Sequence, residues 1–133
     1  MENVWLNLPV QDLDRTEKFY KAIGFEPNGK HFKKDELVSF LAGSNQLIVH
    51  FFKKEILAKS MMGAVANTSK GNEIIITIGS KSKEEIAEIT EKAKQNGGEI
   101  HQQPQESPDG YYGSMFSDPD GHKWNLLLLE KGM

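Results

Sequence analysis

The chain has 133 residues, with 19 Asp and Glu against 16 Lys and Arg, a formal charge of −3 and no cysteine. That length suits one domain with a real core. An acidic balance without a basic stripe argues against nucleic acid as a partner, and the absence of thiols excludes disulfide and cysteine chemistry.

In chain order, Val4–Val10 reads as a strand and 12–23 as a helix. Leu13, Thr16, Phe19, Tyr20 and Ile23 fall on one apolar stripe of that helix at three- and four-residue spacing. Asp12 suits the N-cap, because its carboxylate can accept from first-turn amides, and Gly24 suits the left-handed residue that ends a helix. A short strand at 25–27 follows. Val38–Leu41, a Gly43-Ser44-Asn45 turn and Gln46–Phe52 then form a hairpin. Residues 53–62 predict a short helix, and the small, polar 64–71 a connector.

A second series begins with a strand at 73–78 and a helix at 83–96. Ser82-Lys83-Glu84-Glu85 is a capping box, and Ile86, Ile89 and Ala93 form the buried stripe. Gly97-Gly98 stops the helix. A short strand at 99–101 follows, then a hairpin of 111–116 and 122–129 around Asp118-Pro119-Asp120-Gly121, a sequence that turn geometry alone explains. The longest apolar run, Leu126–Leu129, is far too short to cross a bilayer. Met1-Glu2-Asn3 has neither the basic nor the apolar region of a signal peptide, so a cytoplasmic protein with no membrane partner is expected.

The second series repeats the first, strand–helix–three strands, starting 68 residues later (Trp5 to Glu73). Such repetition predicts an α+β fold built by duplication of a βαβββ module. The expected organisation is a single domain over 1–133, with module one at about 1–60, a connector at about 61–71 and module two at about 72–131.

Leu8-Pro9-Val10-Gln11-Asp12-Leu13-Asp14-Arg15, followed by Phe19-Tyr20 and Gly24-Phe25, resembles the opening of the vicinal oxygen chelate superfamily, which includes glyoxalase I, extradiol dioxygenases and the fosfomycin- and bleomycin-resistance proteins. The Gly97-Gly98 stop and Asp118-Pro119-Asp120-Gly121-His122 before a final strand match it too. The resemblance implies curled sheets forming a cup-shaped cleft. In metal-dependent members, His and Glu from four strands hold one divalent metal, a Lewis acid for developing oxyanions. By this resemblance the ligand positions fall on Trp5, Glu73 and Asn125, and on Val49 or His50, where one residue of slip decides which faces the site. The set is incomplete, because indole cannot coordinate and an amide is a weak, neutral donor. Asn7 shares a strand face with Trp5, and Tyr111 follows a turn that could rim the cleft.

These residues support a small-molecule site poor in metal ligands, with Trp5, Asn7, Asn125 and Tyr111 binding and with His50 and Glu73 as metal ligands or general bases. Trp5, Phe40, Phe51, Tyr111 and Trp124 are the aromatic residues available to a binder that sequesters its ligand. The alternative is a divalent-metal-dependent lyase, isomerase or dioxygenase. A homodimer is expected, two-fold pairing being the commonest assembly.

Overall fold

Alternating apolar residues in strands, and apolar stripes at helical spacing, need partners that cover them. In the computed structural model, which describes residues 1–130, each half of the chain supplies its own. The chain divides into two compact units, the first ending at Asn67 and the second beginning at Thr68. The expected end of the second module at residue 131 lies outside the described residues.

The first unit runs β1 (Trp5–Val10), α1 (Leu13–Ala22), β2 (Glu26–Pro27), a 3-10 turn (Gly29–His31), β3 (Leu37–Ala42), β4 (Leu47–Lys53) and α2 (Lys54–Met61). Its sheet has the order β1-β4-β3-β2, with β1 parallel to β4 and the other pairs antiparallel. The second unit runs β5 (Ile76–Ser80), α3 (Lys83–Gln95), β6 (Glu99–Glu106), β7 (Tyr112–Ser117) and β8 (Lys123–Leu128), with the order β5-β8-β7-β6. Each unit is thus a βαβββ module around an open four-stranded mixed sheet, the expected α+β class.

The helices start where the sequence says they should. The Asp12 carboxylate accepts from the Arg15 amide at 3.0 Å, and the Ser82 hydroxyl accepts from the Glu85 amide at 3.1 Å. Thr16, Phe19, Tyr20 and Ile23 of the first stripe are buried. Tyr20 stacks on Phe51 at 4.3 Å and lies 5.9 Å from Phe40, so one face of the first sheet packs on α1. Phe40, Phe51 and, in the second unit, Trp124 are at most 1 % exposed. They are core residues, which corrects the expectation that they offer aromatic surface to a ligand.

Two strands differ from expectation. The strand expected over 73–78 is Ile76–Ser80. The connector is the reason: the Thr68 hydroxyl donates to the Asp120 carbonyl at 2.6 Å, and the Asn72 amide donates to the Gly121 carbonyl at 2.9 Å. This anchors the chain on the β7–β8 turn, Glu73 falls in a bend, and the ladder with β8 begins only at Ile76, opposite Trp124. The short strand expected at 99–101 continues to Glu106, with register shifts along β7. Its polar residues and Pro104 suit the sheet edge it occupies.

The true repeat distance is also clearer. The N-caps Asp12 and Ser82 are 70 residues apart. The ladders agree, with Asn7 opposite His50 in one unit and Thr77 opposite Asn125 in the other. In the second unit Trp5 therefore corresponds to Ile75, whereas Glu73 corresponds to Asn3.

Candidate functional site

One face of the first sheet is core. On the other face, strand alternation and register lay residues in rows across the sheet. The middle row is polar: Asn7 on β1 pairs with His50 on β4, which pairs with Ser39 on β3. Asn28 extends the row, its amide N–H donating to the Ser39 carbonyl at 2.9 Å. Apolar rows flank it, Trp5–Ile48–Leu41 on one side and Pro9–Phe52–Leu37 on the other.

His50 is the centre of this row. Val49 and Phe51 point into the core, so His50 points the other way, which settles the register that the sequence left open. The residue is 8 % exposed. Nδ1 lies 2.9 Å from the Ser39 hydroxyl, which also accepts from the Asn28 side chain at 3.3 Å. With Nδ1 engaged, Nε2 is the ring atom able to meet a ligand. The Trp5 ring stands edge-on at 6.3 Å, Phe52 at 6.0 Å, and the His31 ring lies at 5.3 Å. Burial, and secondarily the charge of His31, hold the His50 pKa below its ordinary 6.5, so the ring is neutral at neutral pH. Trp5 remains 49 % exposed, and Asn7 and His31 are exposed. Among the described residues the side chains of Trp5, Asn7 and His31 make no hydrogen bond.

The second unit has a counterpart row, Thr77–Asn125–Met115–Gln102. Asn125 stands where His50 stands in the first unit. Its amide is 3.5 Å from the Thr77 hydroxyl, too long for a strong bond. Asn125 and Tyr111 line a shallow cavity of about 270 Å³ together with Gln102, Ser107, Gly113 and Leu127.

Of the residues singled out by sequence, the structure brings together Trp5, Asn7 and His50 on one sheet face, and Asn125 with Tyr111 in the second unit. Glu73 joins neither group; it is exposed in the bend before β5. Sequence reasoning missed Ser39, Asn28 and His31. Ser39 had a signal, being the lone polar residue in Leu37–Ala42; Asn28 and His31 had none, since a short irregular turn brings them to the sheet.

The metal implied by the resemblance can be tested against these donors. Among the described residues no three His, Cys, Asp or Glu side chains converge. The equivalent strand positions carry Trp5, His50, Ile75 and Asn125, that is, one imidazole, one amide and two groups that cannot coordinate. This donor set does not fit a divalent metal.

Comparison with known proteins places the fold. The Glyoxalase/Bleomycin resistance protein/Dioxygenase superfamily matches residues 4–126. The chain belongs to this superfamily. A hypothetical protein from S. aureus is 32 % identical with a TM-score of 0.84, the match covering 97 % of this chain and 94 % of that one. A glyoxalase-related enzyme from Fulvimarina pelagi superposes with a TM-score of 0.81 at 21 % identity, over 97 % of this chain and 89 % of that one. A bleomycin-binding protein complexed with bleomycin gives 0.64 at 21 % identity, over 98 % and 100 %. At those last two identities the likeness is one of glyoxalase-superfamily fold alone. No curated protein matches this chain.

Proposed function

We propose that this glyoxalase-superfamily protein binds a small molecule on the His50 face of its first sheet, without a divalent metal. The observation that carries the reading is the polar row Asn7–His50–Ser39–Asn28, set between apolar rows, with His50 fixed at Nδ1 and open at Nε2. Small-molecule sites combine an apolar lining with a few oriented polar groups. Here Trp5 and Phe52 supply the walls, His50 and Asn7 the polar contacts, and Ser39 the orientation. The neutral His50 ring can donate or accept at Nε2, and it is the group on this face suited to take a proton from a bound substrate.

Asn125 and Tyr111 form a second, more weakly organised contact region in the other unit. Glu73, exposed and outside the strand, has no part in this reading. The protein acts in the cytoplasm and forms a homodimer, with no nucleic-acid partner. The apolar side chains Val4, Ile74, Ile75 and Leu129, all exposed, support the dimer.

The test is a thermal-shift screen of a metabolite library on EDTA-treated protein, comparing wild type with Asn7→Ala and Glu73→Gln. A ligand that binds the native state raises Tm by mass action. Hits should shift wild type and Glu73→Gln alike and Asn7→Ala much less. Hits requiring added Ni²⁺, Zn²⁺ or Mn²⁺, or lost in Glu73→Gln, would overturn the reading.

A further inference from the structure

The charge around the polar row indicates what kind of molecule it holds. β1, β3 and β4 contain no Asp or Glu over Trp5–Val10, Leu37–Ala42 and Leu47–Lys53. The charged or titratable groups those strands and the 3-10 turn bring are His50, Lys53 at the end of β4, and Lys30 and His31 on the turn. The nearest strand carboxylate, Glu26, sits on the edge strand opposite Leu41, one row away and two strands from His50. Asp35 and Glu36 lie in the loop before β3. Two imidazoles 5.3 Å apart, with no Asp or Glu on β1, β3 or β4 among the described residues, form an unbalanced arrangement. Burial first, and the neighbouring His31 second, hold the His50 pKa below its ordinary value.

The same face carries a surplus of donors. The Trp5 indole and the Asn7 amide have no hydrogen-bond partner among the described residues, and Nε2 of His50 is free beside them. Donors without acceptors, next to positive or neutral nitrogen groups and away from carboxylates, suit an oxyanion. The flanking rows with Trp5 and Phe52 suit an apolar body.

Resting on the reading above, we infer that the His50 face of the first sheet takes a small molecule with an apolar body and an oxyanion, a carboxylate or a phosphonate or phosphate. His50 Nε2, His31 and the Asn7 amide hold the oxyanion, and Trp5 and Phe52 pack on the body.

Calorimetry on the EDTA-treated full chain at pH 6.5 separates the outcomes, using benzoate, phenylphosphonate, benzamide and benzylamine as probes, with amide NMR locating each. At least one anion should bind about tenfold or more tighter than benzamide, with benzylamine weakest. Which anion leads tells carboxylate from phosphonate recognition. His31→Ala, at an exposed side chain without a hydrogen bond, should reduce the anion preference over benzamide to about threefold or less; His31→Lys should retain it. Benzamide or benzylamine binding as tightly as the anions at Asn7, Ser39 and His50 would overturn the anion assignment and leave the site standing. Failure of every probe to perturb those residues would overturn both.

Discussion

His50 links the proposed site to stability. Its folded-state pKa lies below 6.5, through burial first and His31 second, so the unfolded chain takes up this proton more readily than the folded one. Stability is therefore present above the unfolded value and falls as pH drops from about 7 through 6.5 and on towards the folded pKa. Tm measured across that window should fall more steeply for wild type than for His50→Gln, whose amide can still meet Ser39. An identical slope in both would remove His50 as the source.

Two other side chains give stability tests. Ser80 is fully buried on β5 with no partner for its hydroxyl among the described residues, where the first unit has the apolar Val10. Ser80→Ala should stabilise by about 1 kcal/mol, because it removes a desolvated, unbonded hydroxyl. Urea denaturation checks this, and a loss of stability would contradict it. Met62 ends α2 in a left-handed conformation at φ 57°, with its side chain 92 % exposed. Met62→Gly relieves that backbone cost without losing buried surface, and should gain about 0.5–1 kcal/mol in the same assay.

At the level of elements, helices were easier to read than strand ends. Asp12 and Ser82 announce α1 and α3 because a cap is a local hydrogen bond between residues three apart. The start of β5 depends instead on Thr68 and Asn72 reaching the Asp118–Gly121 turn about 50 residues away, a contact no local pattern contains. That is why the sequence placed Glu73 on a strand. The same contact makes Gly121 sensitive. Its φ is +87°, and an added Cβ would meet Thr68 Cβ at 2.8 Å as well as the hydroxyl that bonds Asp120. Gly121→Ala should cost about 2 kcal/mol or more from combined strain and crowding. A cost below about 0.5 kcal/mol would show that the connector moves freely off the turn.

For the whole molecule, the duplication made the architecture legible, since two βαβββ series leave few alternatives for how each apolar stripe is covered. The site was legible only in part. Trp5 and His50 could be proposed from the ligand positions that the resemblance implies, and Asn7 because it shares a strand face with Trp5, but their grouping required register. Setting the repeat at 70 residues instead of 68 replaces Glu73 with Ile75 as the equivalent of Trp5, and removes with it most of the case for a metal. Ser39, Asn28 and His31, which orient and charge the site, come from β3 and a short turn whose approach to β4 is a tertiary fact.

The most direct test is an amide NMR footprint of a fragment library on EDTA-treated, isotopically labelled protein. Hits should give shift changes that cluster on Asn7, Asn28, Ser39 and His50 and persist without metal. Clustering instead around Asn125 and Tyr111, or hits only after a divalent metal is added, would contradict it.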